Sequence, residues 1–141
     1  NNMRKRVLTS AISFILICSL FTSLALAATL RASKYISSYN AVIYSSGNEI
    51  TVDCSITGTG RMKTIGIKSV KIYTSSGTNV ATYSYTADGY EYLMGSDTGR
   101  KTASVTYTGT SGKSYYAVVV FYASDGSGGD SRSYTTKTIT V

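Results

Sequence analysis

After residue 27 no stretch of ten residues repeats its apolar side chains at helical spacing. The chain instead alternates Thr, Ser, Tyr, Val and Ile in short runs, with Gly, Ser, Asn or Asp turns roughly every 8–12 positions. That pattern leaves strands as the only regular structure open to it. Extended runs are expected at residues 30–44, broken near Ser37-Ser38, and at 49–56, 68–73, 79–85, 101–107, 114–123 and 132–141. Ser46-Gly47-Asn48 and Ser75-Ser76-Gly77-Thr78 read as hairpin turns, and Thr57-Gly58-Thr59-Gly60 as the end of the second run. Residues 86–100, with Asp88-Gly89 and Gly95-Ser96-Asp97, read as a long loop. No helix is available for a parallel crossover, so the expectation is an all-β, antiparallel domain of about seven strands.

What precedes this domain is of another kind. Arg4-Lys5-Arg6, a weakly apolar run from Val7 to Leu26 and the small residues of Ala25-Leu26-Ala27 form the pattern of a secretory signal peptide over residues 1–27, leaving 28–141 as the working domain. An uncleaved anchor is the rival, but Thr9, Ser10, Ser13, Ser19, Thr22 and Ser23 dilute the apolar run. A lipoprotein fits less well, because Cys18 lies within the run and follows Leu16-Ile17. The expectation is therefore a secreted protein, extracellular or associated with the cell surface, with no stable membrane insertion after cleavage.

Composition removes several chemistries. Arg4, Lys5 and Arg6 account for three of the chain's 14 basic residues. The remaining eleven are scattered singly against seven acidic ones, which suits a polyanionic surface but is no nucleic-acid footprint. Histidine, tryptophan and proline are absent, so serine triads, Cys-His nucleophiles and familiar zinc sites drop out, as does a Leu-Pro-x-Thr-Gly sorting signal. Cys54 is the only cysteine beyond the leader. The alternation Ile50-Thr51-Val52-Asp53-Cys54-Ser55-Ile56 puts it on an apolar face, as a buried filler and not a reactive thiol.

The acidic loops offer little. Asp88, Glu91 and Asp97 share a segment with no cleft in which two carboxyls could be held at a fixed separation for glycoside hydrolysis. Asp125, Ser127 and Asp130 provide calcium-type oxygens, but their spacing matches no EF-hand or nonapeptide repeat, so a plain polar turn is expected. A Lys–Asn isopeptide bond has only Asn40, Asn48 and Asn79 to draw on, all in turn or edge contexts. No cofactor, metal or catalytic residue is expected, and the protein is read as no enzyme.

Gly112-Lys113-Ser114-Tyr115-Tyr116-Ala117 looks like the corner before the sixth strand of an immunoglobulin-like domain, where a Tyr hydroxyl ties back to upstream backbone; Ala117 then takes the usual cysteine position opposite Cys54. Together with Ile65-Gly66-Ile67, Val70, Ile72-Tyr73, Tyr107-x-Gly109-x-x-Gly112, Phe121-Tyr122-Ala123 and Gly128-Gly129-Asp130-Ser131-Arg132, this spacing resembles an uncharacterised family of small secreted proteins of Gram-positive bacteria. The resemblance implies an immunoglobulin-like β-sandwich placed outside the cell, and it lends no activity and no site residues.

The sixth run is apolar on both faces. With Tyr115 at the corner, Tyr115, Ala117, Val119 and Phe121 point to the core, while Tyr116, Val118, Val120 and Tyr122 point outward. Tyr73 and Lys71 would join that outer face, with Tyr83 and Tyr85 beside them. Rigid aromatics with a polar tip make a recognition surface. The expected function is a secreted, non-catalytic binding module for an extracellular protein, glycan or cell-wall polymer, with Tyr73, Tyr116, Val118, Val120 and Tyr122 as the binding residues. The alternative is a fibre- or pilin-like surface-assembly subunit that polymerises by adding its exposed edge or its terminal strand, residues 133–141, to a neighbour.

Overall fold

The structure is a computed structural model that describes Ser33–Val141; the expected signal peptide at 1–27 lies outside the described residues. Seven strands follow one another as β1 (Ile36–Ser46), β2 (Glu49–Thr74), β3 (Asn79–Ser84), β4 (Met94–Thr108), β5 (Ser114–Ser124), β6 (Gly129–Thr135) and β7 (Ile139–Thr140), with one 3₁₀ turn at Glu91–Leu93 ahead of β4. Every pairing is antiparallel. Among the described residues no helix is long and apolar enough to cross a membrane.

The architecture hangs on β2. Its first part lies between β1 (Ser46 opposite Glu49, Ala41 opposite Cys54) and β4 (Val52 opposite Val105, Cys54 opposite Ala103). Its second part lies between β5 (Ile72 opposite Ala117, Ile67 opposite Phe121) and β3 (Val70 opposite Tyr83). β6 and β7 then pair with the far side of β5. Alternate residues of both parts, among them Ile50, Val52, Ile56, Ile65, Ile67, Val70 and Ile72, enter one buried core with Ile43, Leu93, Tyr115, Val119 and Phe121. Each fully buried aliphatic or aromatic side chain there contributes about 1.5–3 kcal/mol by leaving water.

Three boundaries depart from the sequence reading. Thr57-Gly58-Thr59-Gly60 does not end a strand. Neither glycine has a positive φ, and the register with β4 shifts between Thr57 and Met62, so the segment is a bulged bend inside one continuous strand. Gly58 is needed there for room: a Cβ would lie 2.9 Å from both the Gly60 carbonyl and Met62 Cγ. Thr59 is pinned by its N–H donating to the Tyr35 carbonyl at 3.0 Å and its hydroxyl to the Lys34 carbonyl at 2.8 Å.

The expected loop at 86–100 is strand from Met94 onward. Thr98, Ser96, Gly95 and Met94 pair with Met62, Thr64, Ile65 and Gly66, because the extended middle of β2 presents backbone groups that need partners. The expected last strand is interrupted at Thr136. Its hydroxyl accepts from Ala117 N–H while its own N–H donates to the Ala117 carbonyl, both at 2.9 Å, so a side chain stands in for the ladder before β7 resumes the pairing. The irregularity expected near Ser37-Ser38 is present as a register shift between Ile36 and Ser38.

Candidate functional site

Two outward faces carry the molecule's surface chemistry. The first is built on β5 and the second part of β2. Tyr73 lies opposite Tyr116, and their rings stack with centroids 5.4 Å apart and planes 14° apart. Val118 sits between Lys71 and Thr135, Val120 between Ser69 and Ser133, and Tyr122 between Gly66 and Ser131. The Lys68 ammonium stands 5.1 Å from the Tyr122 ring centroid, within cation–π range. All five expected binding residues are half-buried by their strand neighbours, and none belongs to the buried core or packs against it. On the inner side Tyr115, Ala117, Val119 and Phe121 are buried as their parity requires.

Tyr83 and Tyr85 do not join this outer face. The register sets Tyr83 opposite Val70, a core residue, and both tyrosines pack against the core. Tyr83 instead donates its hydroxyl to the Thr106 carbonyl at 2.7 Å and meets the Tyr90 ring at 5.3 Å, fastening the β3 side to β4.

The second face, formed by β1, the first part of β2 and β4, was not anticipated. Its outward positions form rows across three strands: Asn40, Ser55, Thr102; then Val42, Asp53, Ser104; then Tyr44, Thr51, Thr106. The first two rows line an open depression of about 500 Å³. Val42, Tyr44 and Tyr92, at 48%, 47% and 45% exposure, are the large apolar side chains left most open to solvent among the described residues, and all three border this face. Tyr92 reaches it from the 3₁₀ turn, its hydroxyl donating to the Ser104 carbonyl at 2.9 Å, and the Ser104 hydroxyl donates to Asp53 Oδ1. The signal was in the sequence: Val42 and Tyr44 fall on the parity opposite to Ala41 and Ile43, so one of the two apolar sets had to face out.

The remaining candidates are engaged locally. Asp125 Oδ1 accepts from Ser127 N–H, the Ser127 hydroxyl and Gly128 N–H. These bonds close the turn and hold its carboxyl below the usual carboxylate range. Asp130 accepts from the Ser33 hydroxyl at 2.6 Å and pairs with Arg132 at 2.7 Å, and its carboxyl is lowered mainly by the Ser33 bond. Glu91 Oε2 takes Gly89 N–H at 2.9 Å. Among the described residues no three His, Cys, Asp or Glu side chains converge as a metal site would need.

Cys54 is buried between Ala41 and Ala103, and burial, with Asp53 adding to it, pushes its thiol up to about 12. In the folded protein it should resist a thiol reagent and react only on unfolding, since the thiolate is the nucleophile. The raised value also has a linkage consequence. Below pH 9 both states keep the proton. Above it the unfolded thiol ionises first, so stability attributable to this group falls by about 1.4 kcal/mol per pH unit up to 12. Wild type minus Cys54→Ala in alkaline urea melts should show that slope; parallel curves would mean the thiol is solvated.

No family model matches the chain, and no curated protein matches it. Among solved structures it is similar to a hypothetical protein of Pyrococcus horikoshii OT3, at 11% identity over 76% of this chain and 92% of that one, with a TM-score of 0.38. A likeness at that level carries no functional argument.

Proposed function

We propose that the protein is a secreted, non-catalytic binding module that engages its ligand through the Tyr73, Tyr116, Val118, Val120 and Tyr122 stripe. The observation that carries the reading is the stacked Tyr73–Tyr116 pair continuing into Val118, Val120 and Tyr122 on a face turned away from the core. Stacking and strand packing hold the aromatics before any ligand arrives, so little side-chain freedom is left to lose on binding. Lys68 and Lys71 at its margin suit an anionic partner such as a cell-wall polymer.

An immunoglobulin-like sandwich accommodates this reading. It is supported by the strand order, with β1 and β4 flanking the first part of β2 and β3, β5 and β6 assembled on the second, as strands A, B, E and C′, C, F, G are arranged, B and C here running together. It is supported too by Tyr115, whose hydroxyl accepts from Thr110 N–H at 2.8 Å as a tyrosine corner does. Secretion is supported by Arg4-Lys5-Arg6, the apolar run and Ala25-Leu26-Ala27. The assembly alternative would use the outer edge of β6, which ends the strand order β1-β2-β5-β6, since residues 133–135 and 139–140 already pair with β5 within the chain.

The test is cosedimentation with an insoluble Gram-positive cell-wall fraction. Wild type should pellet with it and Tyr116→Ser/Tyr122→Ser should stay in solution, while the two unfold within about 1 kcal/mol of each other. Equal sedimentation removes the stripe as the binding face, and a loss of several kcal/mol would show the tyrosines to be structural.

A further inference from the structure

We infer that the depression on the β1, β2 and β4 face is a second binding site, separate from the tyrosine stripe, and that it takes a neutral saccharide. Sugar rings present two chemistries at once: an apolar C–H face and a rim of hydroxyls that both donate and accept. The site offers both in the matching places. Asn40 brings an amide with donors and an acceptor, Asp53 a carboxylate, and Ser55, Thr102 and Ser104 hydroxyls, all projecting from alternate positions of three hydrogen-bonded strands and so fixed in spacing. Val42, Tyr44 and Tyr92 supply exposed apolar surface beside them.

Preorganisation is visible in two bonds. Ser104 donates to Asp53 Oδ1 and orients the carboxylate, which keeps lone pairs on both oxygens for a ligand hydroxyl. Tyr92 is tethered to the Ser104 carbonyl, so its ring is held at the border of the site. The volume of about 500 Å³ falls in the range of small-ligand clefts, roughly 300–1,000 Å³, and the depression is open to solvent.

Charge decides the class of ligand. Asp53 is the one charged side chain lining the depression, and no lysine or arginine does so. A uronate or phosphodiester polymer would meet like charge without compensation, whereas a neutral sugar meets an acceptor.

Affinity electrophoresis of the purified protein in gels containing soluble neutral polysaccharides (hydroxyethylcellulose, galactomannan, soluble starch), with alginate as the anionic comparison, tests this. Migration should slow in at least one neutral gel and not in alginate. Tyr44→Ala and Asp53→Ala should each weaken that retardation by about tenfold, and raising the salt to about 1 M should leave it in place. The stripe variant Tyr116→Ser/Tyr122→Ser should be retarded as wild type is, which separates this site from the one proposed above. Retardation by no neutral polysaccharide, retardation by alginate alone, or variants at Tyr44 and Asp53 that bind like wild type would each overturn the inference. Melting curves guard the variants, and should Asp53→Ala fold poorly, the exposed Tyr44→Ala decides alone.

Discussion

Phe121→Ala will lower the unfolding free energy by about 4 kcal/mol, enough to take the melting temperature down by about 20 °C. Phe121 is fully buried on β5 opposite Ile67 and Arg132, and its ring meets Tyr39 from β1 at a centroid distance of 5.5 Å. Tyr39 in turn meets Tyr134 from β6 edge-on at 6.4 Å. Removing the ring therefore opens a hole between strands whose spacing is fixed by ladder hydrogen bonds, and such a site cannot collapse to fill it. Thermal unfolding by circular dichroism measures the effect. A loss under about 1 kcal/mol would mean the core closes over the gap, and the inward parity of β5 would have to be abandoned.

Gly66→Ala will cost about 3 kcal/mol, a large penalty for one added methyl. Here the reason is close approach and not conformational freedom. A Cβ at Gly66 would run into the Leu93 carbonyl oxygen and lie 2.8 Å from Met94 Cα, and both are backbone atoms that can yield only by breaking the Gly66–Met94 pairing. Gly60→Ala is the control, since nothing lies within 4 Å of a Cβ there. In urea the midpoint of the first should fall with little change in m, while the second should change the unfolding free energy by less than about 1 kcal/mol. Equal effects at the two positions would contradict the start of β4 at Met94.

These two positions also mark what the sequence could and could not reveal. The inward set Tyr115, Ala117, Val119, Phe121 was legible because β5 pairs on both sides through most of its length, and strict two-residue periodicity follows from that. The outward set Tyr116, Val118, Val120, Tyr122 came with it. Cys54 was legible for the same reason. Gly58 and Gly60 misled because glycine punctuates turns and also permits tight bends within a strand, and only the neighbouring Met62 and Tyr35 distinguish the two. Met94 to Arg100 misled because Gly95, Ser96, Asp97 and Gly99 have poor strand propensity, which pairing with the middle of β2 overrides. The second face went unread because Asn40, Asp53 and Ser104 lie far apart along the chain and come together only once the register of three strands is known.

The continuity of β2 bears on how the chain can acquire its structure. A strand shared by both parts of the sheet gives neither part an independent existence: residues 49–58 need β4, which is not finished until Thr108, and residues 64–74 need β5, which is not finished until Ser124. A polypeptide emerging from its N-terminus can close the β1–β2 and β2–β3 hairpins early, but it then carries the other edge of β2 bare until β4 and β5 have emerged, at Thr108 and Ser124. Folding is thus commitment late and all at once, the slow regime of distant pairings. Under the secretion proposed above, such lateness would keep the chain threadable while translocation runs.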